Sequence, residues 1–178
     1  MYTPVEIVDL RTRPDYLPSL ADCHQQEWEL DGTVTTSEER AQRLQEHLSD
    51  EEYPVTWVAL DGKQLVGSVS LIHYGNRVST KSVWLANLFV IEGHREQGIG
   101  KQLVDHACAY AFQHGQHRLR LFTPKHKAFY AALGWEWCHS ARVQRQWVDI
   151  MLINLHTWQA QRMLSADTSG SQTNGVRP

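Results

Sequence analysis

Six residues, Arg95-Glu96-Gln97-Gly98-Ile99-Gly100, carry the clearest chemical potential in this chain. Two glycines one residue apart let the main chain approach a ligand closely, because neither carries a Cβ. Where a helix opens at such a point, its first N–H groups have no partner inside the helix and sit at the positive end of its dipole. That arrangement binds anions, phosphate above all. Spacing excludes two well-known phosphate loops. A P-loop places Lys and then Ser or Thr after its last glycine, whereas Gly100 is followed by Lys101 and Gln102, which offers no hydroxyl to a metal. The dinucleotide fingerprint needs a third glycine where Leu103 stands. Without a ligand, the same residues make a glycine-rich connection between a strand and a helix.

The flanking residues supply that strand and helix. Val83, Leu85, Leu88, Phe89, Val90 and Ile91 predict a buried strand, being β-branched, aromatic or aliphatic without a charge. From Ile99, the apolar residues Leu103, Val104, Ala107 and Ala111 recur near the helical period, and Gly115 marks the stop. Upstream, Val5 to Leu10 predicts a short strand, and Pro14-Asp15 opens a helix with Leu17, Leu20, Ala21, His24 and Trp28 on its apolar face. Asp31 to Thr36 breaks that helix. Thr36 then caps a second one, with Glu39 as its capping-box partner. Val55 to Leu60 and Gln64 to Ile72 form a hairpin across Asp61-Gly62, and Tyr74-Gly75-Asn76-Arg77 leads on to the central strand, completing a meander. Gly67, inside the second of these strands, signals a close backbone approach or a bulge. Beyond the central helix, His117 to Phe122 predicts a strand parallel to the central one, joined by a right-handed crossover. Lys125 to Leu133 predicts a short helix ended by Gly134, and Trp135–His139 with Trp147–Leu155 a closing antiparallel pair.

This order is an α+β layout with one mixed sheet. At 178 residues with 42% hydrophobic content, the chain has enough material for one core and little for a second. A single domain over 1–164 is expected, followed by a loose tail over 165–178, where small polar residues bury too little to order themselves. A net charge of -3 with mixed signs leaves no basic stripe for nucleic acid. Ten histidines are scattered without the spacing of a zinc site. Three cysteines without a C-x-x-C pair suit a reducing compartment, and with no signal segment or apolar span in view the expected location is cytoplasmic, without membrane contact.

Arg95, Gly98 and Gly100, between a strand ending in Val90 and a long helix, resemble motif A of the GCN5-related N-acetyltransferase (GNAT) family. Ala128-Phe129-Tyr130-Ala131-Ala132-Leu133-Gly134-Trp135 resembles a second mark of that family. The resemblance covers most of the chain. It implies a GNAT-like, mostly antiparallel mixed sheet whose two parallel strands splay apart to admit the pantetheine arm of acetyl-CoA. It further implies that Leu88, Phe89 and Val90 contact that arm through their main chain. Arg95, Glu96, Gln97, Gly98, Ile99, Gly100 and Lys101 would hold the pyrophosphate. No metal is implied.

By the same resemblance, Tyr130 is the general acid that protonates the departing thiolate; otherwise it is a core tyrosine with its hydroxyl at the edge. Many relatives carry a carboxylate base near a bulge of the central strand, where this chain has Asn87, which cannot act as a base. Glu27, Glu29 and His73 remain candidates for that task, and a neutral amine needs no strong base. Glu27, Trp28 and Glu29 either reach the amine pocket or are a packed indole between solvated carboxylates. Two further departures stand out: Glu92-Gly93 replaces the usual proline after Ile91, and Thr123 replaces an asparagine, with Thr123 or Lys125 as substitutes for its cofactor contact. Cys108 lies mid-helix near the buried face, a poor place for a covalent intermediate. The expected activity is direct acetyl transfer from acetyl-CoA to a primary amine, small molecule or peptide, in a ternary complex by a monomer or homodimer. A non-catalytic acyl-CoA-binding or sensing module is the alternative, and a protein-interaction module presenting tryptophans is a third. Aminoglycosides, polyamines, amino acids, peptide N-termini and lysine side chains all serve as acceptors in the family, and the slight acidity of this chain favours a cationic one.

Overall fold

A computed structural model describes residues 4–29, 35–74 and 82–170. The helix break at 31–34, the link at 75–77 and the end of the tail, 171–178, lie outside them. The chain divides into two compact units, Met1–Tyr110 and Ala111–Pro178.

In the first unit, β1 (Glu6–Asp9) leads through two short 3₁₀ turns to α1 (Leu17–Glu29), and α2 spans Ser37–Gln45. Thr36 caps α2 as its sequence requires. Its hydroxyl accepts from Glu39 N at 3.1 Å, and Glu39 Oε2 accepts from Thr36 N at 2.9 Å. The meander follows as β2 (Val55–Asp61), β3 (Gln64–Tyr74) and β4 (Ser82–Val90). These strands pair antiparallel in the order β1-β2-β3-β4. Gly62 turns the hairpin at φ 59, the left-handed conformation that an Asp-Gly turn supplies.

Leu17, Leu20 and Ala21 bury the expected face of α1 against Leu44, Val58, Leu60 and Leu65. Removing a fully buried side chain such as Leu20 would cost about 2–5 kcal/mol. Gly67 is explained by close approach. A Cβ there would meet Leu103 Cδ1 at 3.1 Å and the Phe89 carbonyl at 2.8 Å, so only glycine lets β3 pass. Leu103 belongs to α3 (Ile99–Gln113), whose Leu103, Val104, Ala107, Cys108 and Ala111 are buried as the period predicts.

In the second unit, Gly115 takes φ 79 and Gln116 N bonds to Ala111 O at 2.9 Å, which closes the C-terminus of α3. β5 (Arg118–Thr123), β7 (Gln146–Asn154) and β6 (Glu136–Val143) pair antiparallel in the order β5-β7-β6, with α4 (Lys127–Ala132) between β5 and β6 in sequence. The closing hairpin is longer than its sequence suggests, because β6 runs to Val143 before turning at Gln144-Arg145.

α5 (Leu155–Gly170) is the main departure from expectation, since the sequence pattern predicts no regular element after Leu155. Asn154 Oδ1 accepts from the N–H groups of His156 at 3.0 Å and Thr157 at 3.1 Å, an N-cap that ends β7 and starts the helix in one residue. Leu155 and Trp158, three apart, are its buried residues. The polar stretch that begins at Ser165 continues the helix to Gly170, exposed from Ser165 to Ser169, so position 164 falls inside α5 and does not begin a loose tail.

Candidate functional site

The amide-rich turn forms where the sequence places it. Ile91 leaves β4 with its N–H bonded to Val66 O at 2.8 Å, and Glu92–His94 make one 3₁₀ turn. Glu96 at φ 60 and Gly98 at φ 80 then reverse the chain into α3. Gly98 O accepts from Gln102 N at 3.0 Å, the first bond of the helix. The N–H groups of Ile99, Gly100 and Lys101 therefore precede the helical ladder. Ile99 is buried and pins the turn, while Gln97, Gly98 and Lys101 stay exposed. A Cβ on Gly98 would meet nothing within 4 Å, so this glycine is demanded by its backbone conformation and not by crowding.

Two charged side chains of the turn are held by protein groups. Arg95 donates from Nε to Val90 O at 2.9 Å and from Nη2 to both carboxylate oxygens of Glu27, at 3.0 and 3.2 Å. Lys101 Nζ pairs with Asp105 at 2.6 Å, four residues on. Arg95 thus braces the end of β4 against α1.

Asn87 lies in a β-bulge of β4. Across the pair, Ser68 faces Phe89 and Ser70 faces Ala86, so Asn87 and Leu88 share the space opposite Val69, with Asn87 at φ 54. A buried polar network grips this residue from two sides. Ser68 Oγ donates to Asn87 O at 2.9 Å and lies 2.9 Å from His24 Nε2. Asn87 Nδ2 donates to Ser70 Oγ at 3.1 Å; Ser70 lies 2.7 Å from Thr56 Oγ1, which lies 2.7 Å from His47 Nδ1. Ser68, Ser70 and Thr56 are fully buried and His24 and His47 nearly so. Burial pushes the imidazole pKa of His24 down to about 3, with Arg40 and His47 adding to the effect, and that of His47 down to about 4. Both rings are neutral near pH 7.

The carboxylate candidates fare differently. Glu27 is engaged by Arg95, and the side chain of Glu29 lies outside the described residues. His73 is exposed and pairs with Val83 in register, three residues along β3 from Ser70. Trp28 packs edge-on to His24 at 4.7 Å with Arg40 over its ring, which favours the packing role. Sequence reasoning missed His24, His47, Thr56, Ser68 and Ser70. Their one visible signal was three hydroxyl residues set into otherwise apolar strands, with Thr56 and Ser70 directly paired.

Tyr130, in the second unit, is buried on α4, against Phe129 at 5.1 Å and Trp135 at 5.9 Å between ring centres. Burial pushes its pKa above the usual tyrosine range, so the phenol carries its proton at neutral pH. The Thr123 hydroxyl accepts from His126 N at 2.9 Å, just ahead of the first turn of α4. Among the described residues, no helix is long and apolar enough to cross a membrane, and no group of three His, Cys, Asp or Glu could hold a metal ion.

A family model described as the acetyltransferase (GNAT) family matches residues 17–135. No curated protein matches the chain in sequence. Among solved structures, an acetyltransferase from Streptococcus agalactiae is 19% identical, with a TM-score of 0.67, covering 86% of this chain and 99% of its own. An aminoglycoside 6'-N-acetyltransferase complexed with coenzyme A is 18% identical at a TM-score of 0.67, covering 84% of this chain and 97% of its own. A variant of spermidine N-acetyltransferase from Vibrio cholerae is 16% identical at a TM-score of 0.69, covering 90% and 99%. Likenesses at this identity show the fold, which is the expected GNAT-like α+β fold.

Proposed function

The chain belongs to the GNAT acetyltransferase family, and on that premise we propose that it moves an acetyl group from acetyl-CoA directly to a primary amine within a ternary complex. The observation that carries this reading is the turn at 98–101, where the N–H groups of Ile99, Gly100 and Lys101 precede the first bond of a fifteen-residue helix. Ile99, Gly100 and Lys101 would hold the pyrophosphate through main-chain N–H groups, with Glu96, Gln97 and Gly98 shaping the turn and Arg95 bracing it against Glu27. Leu88, Phe89 and Val90 would take the pantetheine arm through their backbone. Acetyl-CoA supplies an acyl group activated as a thioester.

Tyr130 keeps its proton at neutral pH and is proposed to give it to the departing sulfur. The amine enters neutral and loses its proton to solvent, because Asn87 stands where a carboxylate base would be useful and Glu27 is paired with Arg95. The solved structures named for aminoglycoside and spermidine acetyltransferases support a small cationic amine as acceptor. Asn87 is also the observation that favours the second reading, a non-catalytic acyl-CoA-binding module. Turnover separates the two.

Titration calorimetry with coenzyme A tests the cofactor turn. Gly100→Val, checked as folded by circular dichroism, should bind at least about a hundredfold more weakly, since a branched side chain would occupy the pyrophosphate's space. Equal affinity in both proteins would remove residues 98–101 from the cofactor site.

A further inference from the structure

The hydrogen-bond chain behind the bulge has a direction, and that direction decides what Asn87 shows to a ligand. Ser68 has one hydroxyl proton and gives it to Asn87 O, so His24 must donate from Nε2 to Ser68. On the other side, Asn87 Nδ2 donates to Ser70, Ser70 can pass its single proton to Thr56, and Thr56 can pass its own to His47 Nδ1. A neutral imidazole offers the lone pair that ends this chain, and His47 is held neutral by burial. With its nitrogen committed inward to Ser70, the planar amide turns Oδ1 the other way. Among the described residues Oδ1 has no hydrogen-bond partner, and Asn87 is only half-buried.

This inference rests on the acyl-transfer reading. With phosphates at 98–101 and the donor arm passing Val90, Phe89 and Leu88 in that order, the next residue at the thioester end is Asn87. We propose that Asn87 Oδ1 accepts a hydrogen bond from one N–H of the acceptor amine, and that Ser70, Thr56 and His47 are positioning residues holding the amide in that orientation. A carboxylate at this place could take a proton from the amine, which a neutral amide cannot do. A neutral amide oxygen orients the amine and leaves its lone pair able to attack. The site therefore selects acceptors that keep an N–H beside the nucleophilic lone pair, as primary amines do.

Steady-state kinetics with acetyl-CoA and three probe amines, spermidine, an aminoglycoside and free lysine, test this on whichever amine turns over fastest. Asn87→Leu should raise the KM of the amine about tenfold, the worth of one hydrogen bond, with the KM of acetyl-CoA within about twofold. Asn87→Asp keeps an outward oxygen and should retain amine affinity within about threefold. Thr56→Val breaks the chain and should raise the amine KM severalfold, and Thr56→Ser should restore it. An unchanged amine KM in Asn87→Leu, or equal losses in the Leu and Asp variants, overturns the assignment; the Asn87 pair decides this even where Thr56→Val does not fold. Wild-type protein that consumes acetyl-CoA with none of these three, nor with any amine or peptide of a wider panel, overturns the acyl-transfer reading itself, a result distinct from the kinetic patterns above.

Discussion

A Cβ placed on Gly67 would stand 2.8 Å from the carbonyl oxygen of Phe89, closer than real Cβ atoms come to backbone. That contact joins β3 to the segment of β4 proposed to carry the donor arm. Gly67→Ala should destabilise the fold by about 1–3 kcal/mol, as overpacking of a tight site does. It should also weaken coenzyme A binding by displacing the Phe89 carbonyl. Urea denaturation and calorimetry on the same variant check both; unchanged values would mean that β3 yields without cost.

Glu27 pairs with Arg95 across two partly exposed side chains, a setting in which an ion pair contributes little. Glu27→Gln should therefore change stability by less than about 1 kcal/mol. It should also leave kcat within about twofold, because a carboxylate committed to Arg95 is not the base. A fall of a hundredfold in kcat, with the fold intact, would return Glu27 to the catalytic set.

His24 and His47 make stability depend on pH with a definite sign. Both have pKa values lowered on folding, to about 3 and about 4 from an ordinary 6.5. The unfolded chain therefore binds more protons below pH 6.5, and the stability present above that pH is lost as pH falls toward those folded values. Each ring contributes a slope approaching about 1.4 kcal/mol per pH unit. Urea midpoints measured from pH 8 to pH 4.5 should be flat above 6.5 and fall below it. His47→Gln, which can still bond to Thr56, should reduce the slope. An undiminished slope in that variant would show that other groups carry it.

Much of the layout was legible because it rests on local rules. The Thr36–Glu39 capping box, the Asp61-Gly62 turn and the Gly115 stop all formed as written, each being a contact between residues close in sequence. The turn at 95–101 was legible for the same reason. The polar network was not, because His24 and Ser68 are 44 residues apart and neither type requires the other. The bulge at Asn87 likewise depends on the register of β4 against β3, which no local pattern specifies. α5 was missed because only Leu155 and Trp158 bury a face, too little to stand out from a polar stretch.

Tyr130→Phe separates chemistry from packing. Loss of the hydroxyl alone should leave folding and coenzyme A affinity unchanged while lowering kcat by about 10²-fold to 10⁴-fold, nearer the lower end because a thiolate is a good leaving group. The deficit should lie in kcat and not in the KM of acetyl-CoA, since the bond strengthens only as charge builds on sulfur. Turnover within about twofold of wild type would make Tyr130 a core residue.

The most direct measurement is acetyl-CoA consumption by the wild-type protein against a panel of primary amines, with mass spectrometry of the product. The expected result is release of one coenzyme A thiol for each N-acetylated amine formed. Tight coenzyme A binding with no thiol release for any amine would contradict catalysis and leave an acyl-CoA-binding module in its place.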